Sequence, residues 1–173
     1  SIIGHAIRPD GTWIVTIGEN NALKIVDLDR AEVLRILICH IFIINACSIS
    51  PDGRWIVSVS EDRLINIWEK ASGKILFSFP LIGALKCVVF HPWQPIVVCG
   101  GDGGNLYLFD LVGITYDPII VTATHTKKGL VVRCPACHQE HHVKEAALGS
   151  ELTCPTPGCD LSLKINPFVI HMA

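Results

Sequence analysis

The sequence predicts an all-β protein: a series of four-stranded sheets repeated at a fixed period, followed by a small cysteine-bearing unit. Three observations lead there. Short blocks of residues recur at a spacing of 42 or 41 positions. Between them lie runs that alternate apolar and polar residues, separated by turn formers. Near the C-terminal end four cysteines pair by spacing, Cys134 with Cys137 and Cys154 with Cys159.

Composition narrows the possibilities. A chain of 173 residues holds one ordinary domain, or a partial repeat array with an appendage. Half the residues are apolar, 17% are charged and the mean hydropathy is +0.45, so the chain must bury most of itself and is no disordered segment. A formal charge of -2 with no cluster of Lys and Arg argues against a nucleic-acid partner. The longest apolar run, 37–49, is interrupted by His40, Asn45 and Ser48 and is shorter than the roughly 20 residues that span a bilayer, so it predicts two strands and no membrane association. No secretory leader is read, and the repeat pattern is already under way at Ser1, which leads us to expect further chain upstream. Cys39, Cys47, Cys87 and Cys99 lie singly in apolar runs and are expected to be buried thiols. An intracellular, cytoplasmic location follows if the other four hold a metal rather than disulfides.

Taken in order, Pro9-Asp10-Gly11 recurs as Pro51-Asp52-Gly53, and Trp13-Ile14-Val15 as Trp55-Ile56-Val57, at an offset of 42. "LKIVD" (23–27) answers to "INIWE" (65–69) at the same offset. A third copy follows at 41, with Pro92 for Pro51 and "LYLFD" (106–110) for "INIWE". Turn formers "PDG", "GENN", "SEDR", "ASG" and "GDGGN" divide each copy into three or four strands, and Asp102-Gly103 suits the positive φ angles of a tight turn. Period, strand count and turns agree on one four-stranded sheet per repeat, the unit of a propeller.

These residues resemble the WD-repeat β-propeller family. The middle copy follows its pattern through Cys39-His40, Ser50-Pro51-Asp52-Gly53, Asp62 and Trp68-Glu69. The resemblance implies a structural hydrogen-bonded network of His40, Ser58 or Ser60, Asp62 and Trp68. The flanking copies depart from it: Asn20 and Val26 stand at the Asp and Trp positions of the first, Leu81 and Phe109 at the His and Trp positions of the third, and Asp102 comes one place early. Three blades leave apolar faces and strand edges open, so residues 1–123 are expected to be the end of a larger propeller, with 117–123 as the fourth strand of the last blade.

After Ala123 the polar "THTKKG" breaks the pattern, and a second domain is expected over 124–173. Its cysteines give C-x2-C-x16-C-x4-C, a spacing suited to one closed, structural Zn2+ site of Cys134, Cys137, Cys154 and Cys159. Two disulfides or a redox dithiol are the competing readings. Pro135 and Pro155 stiffen the two turns, and His138 and Asp160 stand where a left-handed backbone is expected. His141 and His142 are read as solvated or as lying just outside the ligand shell. The tail resembles a zinc ribbon, with "LVVR" leading in, a helical turn in "VKEAALG", "SELT" leading to the second knuckle and "LSLKINPFVI" running out as a strand whose run of donors ends at Pro167. The apolar residues of that last strand are expected to cover the outer blade around "LYLF" and "PIIV".

No P-loop and no catalytic Ser/His/Asp or Cys/His set is read, so a non-enzymatic role is expected. The favoured function is a protein-interaction or sensor module, its blades binding a protein or peptide and its ribbon bracing the last blade. The order of the two parts resembles the sensor ends of signal-transduction NTPases of the STAND class, which implies an upstream part of the same polypeptide as a partner. The alternative is a nucleic-acid-binding ribbon. Residues 124–173 hold five Lys and Arg against four Asp and Glu, and four thiolates with Zn2+ add about -2, which weighs against it.

Overall fold

The computed structural model describes residues 1–38 and 40–171. Cys39, expected as a buried thiol and as the neighbour of His40, lies outside the described residues. The regular structure of the described residues is strand apart from a single 3-10 turn at Glu145–Ala147 inside "VKEAALG", with no α-helix, as an all-β fold requires. Among them no helix is long and apolar enough to cross a membrane. The chain divides into two compact units, Ser1–Ile114 and Thr115–Ala173.

The first unit contains three antiparallel sheets. β1 (Ile2–Ile7), β2 (Trp13–Gly18), β3 (Ala22–Asp27) and β4 (Glu32–Ile38) form the first, paired in chain order. β5 (Ile44–Ile49), β6 (Trp55–Ser60), β7 (Leu64–Glu69) and β8 (Ile75–Pro80) form the second. β9 (Leu85–Phe90), β10 (Ile96–Gly101) and β11 (Leu106–Asp110) form the third. The apolar run 37–49 falls, as expected, on the end of one strand and the whole of another.

The Pro-Asp-Gly turns work alike in the first two sheets. Gly11 and Gly53 take φ of 73° and 75°, which a side chain would resist. The preceding Asp10 and Asp52 each accept a bond from the backbone N–H two residues on, at 3.1 and 3.0 Å. In the third sheet the left-handed residue is Gly104, at 75°, rather than Gly103.

The sheets stack with the inner strands β6 and β7 of the middle one buried, while β8 is exposed along its length. Every residue of β6 is buried, and Ile44, Ile49, Ile56 and Trp68 join Val15, Ile17, Leu23 and Ile25 of the first sheet in one core. Polar ties cross the joints. Arg35 donates to the Ala71 and Ser72 carbonyls at 3.0 Å each, Asn45 Nδ2 donates to the Leu85 carbonyl at 2.7 Å, and Ser48 Oγ accepts from the Phe90 N–H at 3.3 Å.

The outer faces differ. Directly paired residues share a face, so Ile7, Ile14, Val26 and Val33 form one apolar row across the first sheet, with Ile7 and Val33 exposed. In the third sheet Val97 and Cys99 are buried, while Cys87, Val89, Leu106 and Leu108 fall on the opposite face and are exposed, Leu106 at 74%. The expectation that Cys87 is a buried thiol is therefore corrected: it faces away from the stack. Cys47 is half-buried and Cys99 buried, and burial pushes their thiols up to about 12 and about 11.

The second unit is a five-stranded sheet in the order β14-β13-β12-β16-β15. Its strands are β12 (Ile119–Thr126), β13 (Gly129–Arg133), β14 (Glu140–Val143), β15 (Glu151–Thr153) and β16 (Ser162–His171). This corrects two expectations. Residues 117–123 are not the fourth strand of the last blade: β12 pairs in parallel with β16 and antiparallel with β13, and the compact units divide after Ile114 rather than after Ala123. The reason is apolar fit, since Ile119, Ile120 and Ala123 are buried in a sheet that also buries Leu163 and Ile165, whereas β11 gains no second neighbour among the described residues. The cover expected between "LSLKINPFVI" and "PIIV" is thus pairing within one sheet.

Pro167, which ends the strand's run of backbone donors, sits inside β16. Val121 pairs with Ile165 and Ala123 with Val169, so two steps on β12 oppose four on β16. The bulge absorbs the residue that cannot donate.

Hydrogen exchange in low denaturant checks the assignment of β12. Amides of Ile119–Val121 should exchange together with those of Leu163–Ile165. Protection that follows Leu106–Phe109 instead would return β12 to the last blade.

Candidate metal centre

In the second unit β13 runs into a turn at Cys134 to Cys137, and β15 runs into the other at Cys154 to Cys159. Each turn is closed by backbone bonds. The His138 N–H donates to the Cys134 carbonyl at 3.0 Å and the Cys134 N–H to the Gln139 carbonyl at 2.9 Å; opposite, the Cys159 N–H reaches the Thr156 carbonyl at 3.0 Å and the Cys154 N–H the Leu161 carbonyl at 2.8 Å. His138 and Asp160 take φ of 61° and 47°, the left-handed conformation expected after the second cysteine of each pair.

The two turns bring the four Sγ atoms within 4.8 Å of one another. Cys134 and Cys159 are 3.7 Å apart at sulfur, as are Cys137 and Cys154. A disulfide needs about 2.05 Å. A tetrahedron of sulfurs about 2.3 Å from a central ion has edges of about 3.8 Å, so the donor set fits one four-coordinate, thiophilic cation.

The electrostatics point the same way. The hydroxyl of Thr156, 3.4 Å from Cys137 Sγ, and then the Gln139 amide draw the Cys137 thiol down to about 6. Burial raises Cys134. The Leu161 amide favours a thiolate at Cys159, but burial and hydrogen bonding with the three other thiols push it up to about 12. Thiols this close cannot all ionise without a cation among them, which a bound dication would supply.

His141 Nε2 lies 3.3 Å from Cys154 Sγ and 3.2 Å from Thr156 Oγ1. His142 belongs to the other face, paired with Val131, while His141 pairs with the buried Val132. Thr156 was not legible as part of the site, because nothing local marks a threonine two residues past a cysteine.

The second constellation lies in the middle blade. His40, with its side chain fully buried, sets Nδ1 2.8 Å from Asp62 Oδ2 and Nε2 2.8 Å from Ser58 Oγ. Trp68 donates its indole N–H to Ser58 Oγ at 3.0 Å. With the carboxylate accepting from Nδ1–H, Nε2 accepts the Ser58 hydroxyl hydrogen, and the chain of bonds is directional. Asp62 also accepts from the Ile41 N–H at 3.2 Å and the Leu64 N–H at 3.0 Å, which fixes the turn between β6 and β7. Of the two serines, Ser58 stands on His40; Ser60 donates to the Phe42 carbonyl and accepts from the Asp62 N–H, at 3.2 and 3.1 Å. Asn66, absent from the sequence reading, lies 3.1 Å from His40 Nε2. At the Trp68 position the flanking copies carry Val26 and Phe109, which have no N–H to donate.

With these geometries in hand, the comparisons with known proteins are specific about the first unit. Residues 31–69 match the family described as WD domain, G-beta repeat. The crystal structure of the WD40 β-propeller domain of Doa1 is similar in fold, with a TM-score of 0.59 and 21% identity over 67% of this chain. The chain spans 38% of the length of that one. No curated protein matches the sequence. The blades therefore have the fold of a WD-repeat propeller, and the matched repeat contains both ends of the His40-to-Trp68 network.

Replacing Trp68 with Ala should cost about 3–5 kcal/mol, since a buried aromatic and a buried hydrogen bond go together. Ser58→Ala, which strands Trp68 Nε1 and leaves His40 Nε2 only the Asn66 amide, should cost about 1–3 kcal/mol with little loss of volume. Urea midpoints of the two variants decide: an unchanged midpoint for Ser58→Ala would mean that the network adds nothing to stability.

Proposed function

We propose that this chain is a non-enzymatic protein-interaction or sensor module, in which WD-repeat blades bind a protein or peptide partner and the second unit is a zinc ribbon held by Zn2+ on Cys134, Cys137, Cys154 and Cys159. The observation that carries the interaction reading is the pair of open apolar faces. Ile7 and Val33 on the first sheet and Val89, Leu106 and Leu108 on the third are each more than half exposed. Contiguous apolar rows of this kind mark surfaces that another chain covers. Further blades from the same polypeptide would cover them and make these three the end of a larger propeller. That arrangement, with the ribbon following, supports a place in the sensor region of a STAND-class NTPase, whose catalysis would lie upstream.

The network of His40, Ser58, Asp62 and Trp68 is structural on this reading. It is buried, so it holds the middle blade rigid and presents no group to a partner. Free thiols at the cluster support a reducing, cytoplasmic location. The nucleic-acid alternative has less support, because the cations of the ribbon are outweighed once four thiolates surround a dication.

Two measurements test this. Native mass spectrometry should find about one zinc per chain, and none in a variant with Cys137 and Cys154 changed to Ser. A photo-crosslinking residue at Leu108 should capture polypeptide, and fluorescence anisotropy with labelled RNA and DNA at physiological salt should show no binding. Nucleic-acid binding with a steep salt dependence, and no polypeptide adduct at Leu108, would reverse the order of the two readings.

A further inference from the structure

We propose that His141 and Thr156 form a hydrogen-bonded strap across one edge of the four-cysteine cluster, tying Cys154 to Cys137 and drawing charge from both sulfurs. The inference rests on the zinc reading of the cluster and deepens it. Cys137 belongs to the turn after β13 and Cys154 to the turn after β15. Their sulfurs lie 3.7 Å apart, and a second path joins them: Cys137 Sγ to Thr156 Oγ1, 3.4 Å; Thr156 Oγ1 to His141 Nε2, 3.2 Å; His141 Nε2 to Cys154 Sγ, 3.3 Å.

The roles along this path are set by hydrogen count. With both sulfurs ionised around a dication, Thr156 donates its one hydroxyl hydrogen to Cys137. Its oxygen accepts from His141 Nε2–H, which is shared with Cys154 Sγ. Strand alternation supplies the histidine: His141 is opposite Val132, 1% exposed, so it shares the face of the core, and its neighbour His142 does not.

A dication with four thiolates carries an excess charge of about -2, so hydrogen bonds to sulfur are charge-assisted. They lower the electron density on the ligands and fix their direction, as groups just outside a metal's ligand shell do elsewhere. The strap also joins the two turns through side chains, whereas the chain connects them only through 16 intervening residues. His141 and Thr156 are positioning residues here, not ligands.

Cobalt substitution of the full chain tests this, because the sulfur-to-cobalt charge-transfer band reports both ligand number and sulfur electron density. His141→Ala, Thr156→Val and the double variant should keep the intensity of four thiolates while the band moves to lower energy. Zinc affinity, read by competition with a chromophoric chelator, should fall about 10- to 100-fold in the double variant. His141→Gln, whose amide can still donate, should recover part of the shift. An unchanged band and unchanged affinity in the double variant would overturn the strap. So would a wild-type spectrum of three thiolates and one nitrogen that loses its nitrogen donor, with no thiolate lost, in His141→Ala, since His141 would then be a ligand. A wild-type chain that gives no thiolate charge transfer with cobalt at all would refute the metal site itself, an outcome distinct from both.

Discussion

Stacking of the middle sheet between its two neighbours is the contact on which the first unit rests. A four-stranded sheet whose two faces are both apolar has no stable place in water, so each face must meet another sheet. β6 meets this condition along its whole length, and the core that it shares with β2 and β3 is continuous from Val15 to Trp68. Burial on this scale leaves polar atoms without water. His40, Ser58, Asp62 and Trp68 satisfy one another where solvent cannot. The hydrogen bonds do not drive the stacking. They make it possible to bury a histidine and an aspartate in it, and they hold the turn at Asp62 in one conformation.

The second unit solves the same problem at a smaller size. Its buried apolar side chains, Ile119, Ile120, Ala123, Leu130, Val131, Val132, Leu163 and Ile165, make a small core for a unit of five strands. The four cysteines stand at the ends of β13 and β15, where two turns must be held together without a core between them. On the proposed reading a cation bound there replaces apolar burial with coordination and ties both turns to one point. The parallel pairing of β12 with β16 does the rest, bringing residues far apart in sequence into one sheet. The bulge at Pro167 shows what the pairing tolerates: two residues of the strand are left out so that Val169 and Ile170 can resume the ladder.

These two units use opposite means to place their polar groups. The blade buries them and pairs them inside, leaving its apolar surface at the ends of the stack. The cysteine unit gathers them near the surface, where Cys137 and Cys159 are half-buried. Partner binding on the proposed reading therefore belongs to the faces of the blades, and the metal serves architecture.

The sequence by itself determined what depends on local geometry. Strand alternation has a period of two residues, and turns such as Pro51-Asp52-Gly53 are fixed by one side-chain bond and one positive φ, so blades and turns could be read directly. The cysteine spacing and the left-handed His138 and Asp160 are equally local. His40, Asp62 and Trp68 were legible because the repeat sets their spacing. Tertiary structure alone decided the choice of partners. "DPIIVTA" alternates in a way that suits either the last blade or the second sheet, and only the apolar fit with Leu163 and Ile165 assigns it to the latter. Cys87 reads as a core residue until the stack shows which face of the third sheet is open. Asn66 and Thr156 enter their constellations because folding sets them beside His40 and Cys137, and no periodicity within a strand or turn can specify a neighbour brought from another one.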